Sequence, residues 1–156
     1  SYIVGAPDRT ASRLVERTKE ALDAAIAAAQ PGARLGDVSA AICRVGRRAG
    51  YGIPSDFGGH GIGREMHESP SVPNVGYAGT GMRLEPGIVL AIEPMFTADG
   101  IDDYRIDADG WGMRSVGGGL AAHWEHTVAV TEDGPVVLTL ADPALQVAAP
   151  RIVEPR

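Results

Sequence analysis

The residues best suited to chemistry lie in three short segments of the sequence. Residues 57–68 read FGGHGIGREMHE and place one histidine, His60, among four glycines. Because glycine permits close backbone approach, such a segment can leave the imidazole free to face a ligand or a metal. The alternative is a glycine-rich structural turn that contains a histidine by chance.

Two carboxylates lie in apolar surroundings further along the chain. Glu93 follows the apolar run Ile88–Ile92, and Glu125 falls within the run Trp124–Thr131. A carboxylate in such a place is costly unless it is paired or binds a cation. Together with His60, the two carboxylates form a donor set that suits Mn, Fe, Co or Zn, acting as a Lewis acid and water activator in hydrolysis.

Two further histidines flank Glu125. Strand alternation sends His126 to the face opposite Glu125, so we expect a structural or supporting role for His126. We expect His123 to face solvent. Neither is therefore counted among the predicted ligands.

The elements that must position these residues are predicted by the spacing of apolar side chains. Helical spacing runs from Asp8 or Thr10 to Gln30 and again over Leu35–Ala49, which predicts two amphipathic helices. Beyond Gly52, short apolar runs separated by glycine and turn residues predict the strands of an antiparallel sheet. These runs are Ile88–Ile92, Trp124–Thr131 and Val136–Leu140.

Helices followed by strands indicate an α+β fold in which the helices cover one face of the sheet. Tyr2–Gly5 is apolar, stops at a glycine and is predicted to be the end of a further strand. A strand that ends this early suggests a cut just inside a larger sheet. We therefore expect the chain to be a fragment of a longer protein.

Composition narrows the classes of function. The 156 residues are 44% hydrophobic and 22% charged, which is typical of a globular domain with a packed core. The net charge is −6 and the basic residues are scattered, so no nucleic-acid partner is expected. No apolar run approaches the roughly 20 residues of a membrane span, and the first residues do not resemble a secretory signal. A cytoplasmic location without membrane contact is expected.

Five motifs occur in the order and spacing of type I methionine aminopeptidases. They are GHGIG at 59–63, MHE at 66–68, IEPM at 92–95, DGW at 109–111 and EHT at 125–127. From about Tyr2 to Leu140 the sequence therefore resembles this family, whose pita-bread fold has two pseudo-symmetric α+β halves with a two-metal site between them. The resemblance implies that residues 1–140 form the carboxyl-terminal half of such a catalytic domain, two helices packed on an antiparallel sheet. Residues 141–156 would form a tail.

The resemblance also implies roles for individual residues. His60 and Glu93 would bind one metal ion, and Glu125 would bridge the pair of ions. His67 would contact the scissile amide and help stabilise the tetrahedral intermediate, while Glu93 would transfer a proton during attack.

Four apolar residues match positions that line or adjoin the family's pocket for the substrate's methionine side chain. An apolar, partly sulfur-bearing surface is compatible with that side chain. The alternative is that all four belong to an ordinary core. They are Phe57, Met66, Met95 and Trp111.

Members of the family bind two divalent metal ions, which can be Co, Mn, Fe or Zn. Two of the residues that bind these ions are aspartates, and they lie upstream of the family segment that Tyr2–Gly5 resembles. Without those aspartates, the chain alone is expected to hold one ion or none. The missing amino-terminal half, or a second chain, is the expected partner.

The predicted function is that of a dinuclear metalloaminopeptidase that removes the amino-terminal methionine from nascent proteins, whose amino termini are its substrates. One alternative is a catalytically inactive pita-bread relative that binds peptides or a protein partner. Another is a proline-specific or creatine-cleaving relative, which the EHT and DGW motifs disfavour.

Overall fold

A computed structural model describes residues 1–6 and 8–141, so most of the predicted tail lies outside the described residues. Helix α1 spans Arg9–Ala28 and helix α2 spans Leu35–Ala49. Nine strands follow within residues 8–141, which confirms the predicted order of helices and then strands. They are β1 Gly58–Gly61, β2 Glu68–Pro73, β3 Val89–Ile92, β4 Met95–Thr97, β5 Tyr104–Ile106, β6 Met113–Ser115, β7 Ala121–His123, β8 His126–Thr131 and β9 Gly134–Val137.

Local interactions set the ends of both helices. The Asp8 carboxylate caps α1 by accepting from the N–H groups of Thr10 and Ala11, at 2.7 and 2.8 Å. Helix α2 ends at Gly50, whose φ of 78° is a left-handed conformation that glycine adopts without strain. Neither helix has the length and continuous apolar character that a membrane-spanning segment needs.

The main sheet has five strands in the order β2-β1-β3-β8-β9, and every neighbouring pair is antiparallel. Two smaller sheets pair β4 with β7 and β5 with β6. The core lies between the helices and the strands. It is built from side chains such as Leu14, Leu22, Val38, Ile42, Leu90, Phe96 and Val128. The α+β architecture predicted from the sequence is confirmed.

One detail of the strand prediction is wrong, and one alternative that the sequence left open is ruled out. No strand forms within residues 1–6, because a strand needs a paired neighbour and the described chain provides none beside Tyr2–Gly5. The histidine-bearing glycine segment, which could have been a turn, is strand β1 inside the main sheet.

The glycines beside His60 allow the strands to approach closely. A Cβ atom on Gly59 would lie 1.9 Å from the carbonyl oxygen of Ala91 on β3, and one on Gly61 would lie 2.3 Å from the carbonyl oxygen of Ser69. Because Gly59 and Gly61 have no side chains, the backbones of β2 and β3 can lie close to β1 on its two sides. This close packing sets the distance of the His60 backbone from β3.

Basic residues are not scattered everywhere. Pairs spaced by four residues lie on the same face of each helix, and the two faces meet at one groove. The groove is lined by Arg13, Arg17, Arg44 and Arg48 together with Glu20. The basic residues are therefore clustered at this groove, and the prediction that they are scattered is wrong here. That the protein has no nucleic-acid partner stays a prediction.

One ion pair joins helix α2 to the segment after β4. Arg47 donates from Nη1 and Nη2 to the two carboxylate oxygens of Asp102, both at 2.6 Å. Asp102 also accepts from the N–H of Ile53 at 2.8 Å. The Arg47 guanidinium, opposed in part by desolvation and helped by the Ile53 N–H, lowers the pKa of Asp102.

Gly59→Ala should destabilise the fold by at least about 1–3 kcal/mol, because the new methyl group would overlap backbone that cannot move away. Urea unfolding followed by far-UV circular dichroism measures the loss. Ser71→Ala is the matched control, since Ser71 is exposed on β2 opposite His60. Equal midpoints for the two variants would contradict the close-approach explanation.

Asp102→Asn should remove a contribution to the free energy of unfolding that is present at neutral pH and is lost in acid. The lowered pKa of Asp102 means that the pair stabilises the fold fully above the ordinary value of 3.8 and loses this effect as the pH falls through the lowered pKa. Because the side chains of Arg47 and Asp102 are 42% and 46% exposed, we expect less than about 1 kcal/mol at neutral pH.

The measurement is the free energy of unfolding of wild type and variant at neutral pH and at increasingly acid pH. The difference between the two proteins should shrink in acid. Asp103→Asn, one residue along, is the control. A difference that is independent of pH would contradict the role given to Asp102.

Candidate metal centre

Glu93 lies at a shared break in two adjacent strand pairs. Ile92 pairs with His126, and Met95 pairs with His123. Residues 93–94 and residues 124–125 therefore lie opposite each other without regular strand pairing. Pro94 in this break has no N–H to donate, and its carbonyl accepts from the N–H of Trp124 at 3.3 Å. The regular pairing of the strands is therefore interrupted at Glu93.

Glu93 is largely enclosed, since its side chain is only 12% exposed. Its backbone carbonyl accepts a hydrogen bond of 2.9 Å from Nδ2 of Asn74, a buried residue that sequence reasoning did not select. A lone asparagine in a loop carries no pattern that marks it. Asn74 therefore helps to hold Glu93 in place from behind.

His60 reaches Glu93 from strand β1. It pairs with Ala91 of β3, and its Nε2 lies 3.4 Å from Oε1 of Glu93. On the other side of the ring, Nδ1 lies 2.9 Å from the carbonyl oxygen of Gly61. The Gly61 carbonyl can accept a hydrogen from Nδ1, and in that tautomer Nε2 would be free to bind a cation beside Glu93.

His67 stands on the solvent side of His60. The two ring centroids are 4.2 Å apart, and His67 is exposed. The loop before it is held by Glu68, whose Oε1 accepts from the N–H of Glu65 at 2.8 Å. His67 can therefore meet a substrate that approaches from solvent.

His123 also faces the cluster. Its Nε2 is 3.4 Å from Oε2 of Glu93 and 3.9 Å from Oε2 of Glu125, and it has neither accessible surface nor a hydrogen-bond partner among the described residues. The prediction that His123 faces solvent holds for part of its side chain, which is 43% exposed, whereas its Nε2 atom faces the two carboxylates. Residues 123 and 125 are two apart, but the strand is interrupted at residues 124 and 125, so alternation along the sequence does not reveal that the two side chains meet.

The remaining predicted positions are less uniform. His126 points elsewhere, with Nδ1 2.9 Å from Oγ1 of Thr139, in agreement with a structural role. Glu125 precedes β8 instead of lying inside it, and its side chain is 45% exposed. Glu125 is thus not the buried strand carboxylate that the apolar run suggested, although it lies within reach of Glu93 and His123.

An apolar cavity of about 200 Å³ adjoins the cluster. Phe57 and Met95 line it, as does His123, whose Nε2 lies 3.4 Å from the Glu93 carboxylate. Its other walls include Pro54, Phe96, Tyr104, Met113 and Ala121. Met66 and Trp111 are 74% and 87% exposed and are not among the lining residues. The structure brings together two of the four apolar residues selected from the sequence.

The donor set fits a divalent cation. One ligand atom each from Glu93, His123 and Glu125 lies within 4.8 Å of the others, and Nε2 of His60 lies 3.4 Å from the same Glu93 carboxylate. An enclosed carboxylate is costly without a positive partner. Mixed carboxylate and imidazole donors suit Zn, Co, Fe or Mn better than Ca or Mg.

The comparison with known families agrees with this donor set. The sequence profile of metallopeptidase family M24 matches residues 1–132. The chain belongs to this family. The enclosed carboxylate, the neighbouring histidines and the family assignment all indicate a metal centre in an M24 metallopeptidase.

Methionine aminopeptidases are among the similar proteins, and a prolidase from Pyrococcus furiosus matches at 25% identity with a TM-score of 0.69, over 90% of this chain and 36% of that one. The chain is 43% identical to methionine aminopeptidase B of Synechocystis, over 90% of this chain and 51% of that protein. It is 49% identical to methionine aminopeptidase 1 of Mycobacterium tuberculosis, over 90% of this chain and 54% of that protein. It thus spans about half the length of the curated relatives it matches.

The fold agrees as well. The crystal structure of methionine aminopeptidase from Thermotoga maritima superposes with a TM-score of 0.84 and 45% identity, over 88% of this chain and 55% of that one. The predicted resemblance to the type I methionine aminopeptidases and the predicted α+β half of the pita-bread fold are therefore confirmed.

Proposed function

We propose that this chain carries the carboxyl-terminal half of a methionine aminopeptidase active site, and that the complete enzyme removes the amino-terminal methionine from nascent proteins. The observation that carries the proposal is that His60 and Glu125, from separate segments, both lie near the enclosed Glu93 carboxylate, and that His123 links this group to an apolar cavity. The similarity to methionine aminopeptidases supports the choice of substrate.

His60, Glu93 and Glu125 would hold a divalent ion, which when bound supplies Lewis acidity and activates water. The Glu93 carboxylate would accept a proton at one oxygen during attack and return it to the leaving amine. The exposed His67 would donate a hydrogen bond to the carbonyl oxygen of the scissile amide, where negative charge develops.

The apolar cavity would receive the methionine side chain. Phe57 and Met95 offer apolar and sulfur-bearing surface, which suits a thioether. Binding the side chain there would present the adjoining amide to the carboxylates and to His67. Met66 and Trp111 stay predicted substrate contacts that would have to act from outside this cavity.

The two aspartate ligands implied by the resemblance would come from an amino-terminal half or from a second chain. Without them, we propose that the chain holds one ion and needs its partner for turnover. The same partner would cover exposed apolar residues such as Tyr2, Val4 and Leu140.

Glu93→Gln should abolish binding of Mn or Co to the folded chain, because it removes the charge that the other donors surround. His67→Ala should leave binding unchanged, since His67 is a substrate contact in this proposal. Isothermal titration with each ion measures both. Retained binding in Glu93→Gln would place the metal site elsewhere and contradict the proposal.

Met95→Gln should raise the KM for a methionine-initiated peptide by at least about tenfold, because it puts an amide into an apolar pocket. The assay uses the chain co-produced with the amino-terminal half of the Mycobacterium tuberculosis relative. Met82→Gln, at a partly exposed methionine outside the cavity, is the control and should leave the KM unchanged.

The same assay separates the alternatives. Release of methionine supports the proposal. Hydrolysis confined to dipeptides ending in proline would indicate a proline-specific enzyme, and peptide binding without hydrolysis would indicate an inactive relative. Either result would overturn the proposed function.

A further inference from the structure

We propose that His123 is a metal ligand in this chain, binding through Nε2 the ion that His60, Glu93 and Glu125 would hold. The inference rests on the proposed function and adds to it a donor that the family resemblance does not assign. It would give the site two imidazoles in place of one.

The spacing of the donors supports this role. Two ligand atoms that each lie about 2.1 Å from a tetrahedral ion are about 3.4 Å apart. His123 Nε2 is 3.4 Å from Oε2 of Glu93, and His60 Nε2 is 3.4 Å from Oε1 of the same carboxylate. Each ring thus lies beside one oxygen of Glu93 at the distance that two ligands of one ion adopt. One ligand atom each from His123, Glu93 and Glu125 also lies within 4.8 Å of the others.

The chemistry of the His123 nitrogen points the same way. Nε2 is shielded from solvent and makes no hydrogen bond among the described residues, although two carboxylates lie nearby. A shielded polar nitrogen without a partner is costly, and a cation shared with the carboxylates removes that cost.

The backbone holds His123 rigidly. It is the last residue of β7 and pairs with Met95, two residues after Glu93 in the chain. Ligands carried on paired strands keep their geometry better than ligands on loops. A second imidazole should also shift the preference of the site toward Co and Zn relative to Mn, because nitrogen donors favour the borderline metals.

The test is proton NMR of the whole chain loaded with Co(II). Each imidazole bound to Co(II) gives one strongly shifted, exchangeable N–H signal, so wild type should show two. His123→Gln and His60→Gln should each lose one signal. His126→Gln is the matched control and should keep both, because His126 faces Thr139.

Affinity provides a second measurement. His123→Gln should weaken Co(II) binding by at least about 10–100-fold, which exceeds or equals the usual effect of losing a supporting residue. Mn(II) binding should weaken less, since the introduced amide oxygen is an acceptable donor for Mn. Circular dichroism checks the folding of the variant, and the wild-type signal count needs no variant.

The outcomes are distinct. One shifted signal in wild type, or unchanged Co(II) affinity in His123→Gln, would overturn the assignment of His123 while leaving the proposed function intact if Glu93→Gln still abolishes binding. No Co(II) binding by wild type would overturn both.

Discussion

The structure depends on a carboxylate that is nearly enclosed by protein. Glu93 is 12% exposed and lies between the imidazoles of His60 and His123. Removing a carboxylate from water costs several kcal/mol unless positive charge or strong donors replace the lost hydration. The strand break at Glu93 and Pro94, the hydrogen bond from Asn74 and the two facing histidines all serve to place this one group.

The sheet supplies the precision that such a group needs. Strand β1 can lie against β3 because Gly59 has no side chain, and this contact sets the position of His60. Strand β7 fixes His123 through its pairing with Met95, which also forms a wall of the apolar cavity. The proposed metal-binding residues and the apolar cavity are therefore held on paired strands. Recognition of an apolar side chain next to a reacting amide would require such a rigid arrangement.

Much of this could be predicted from the sequence, because the signals are local. Helical spacing predicted α2 with its observed bounds of Leu35–Ala49, and the apolar run before Glu93 predicted β3 to within one residue. The position of His123 was missed because the regular strand is interrupted between β7 and β8. Only the pairing of His123 with Met95 of β4 shows that it lies beside the cluster. Tyr2–Gly5 was mistaken for a strand, since apolar residues favour a strand but cannot supply its neighbour.

The measurement that tests the account most directly is the location of a bound ion in crystals grown with Co(II). Anomalous scattering at the cobalt edge identifies the ion independently of the protein density. The account predicts one strong peak per chain, within bonding distance of the Glu93 carboxylate and of Nε2 of His60 and His123. A peak elsewhere on the chain, or no peak at saturating Co(II), would contradict it.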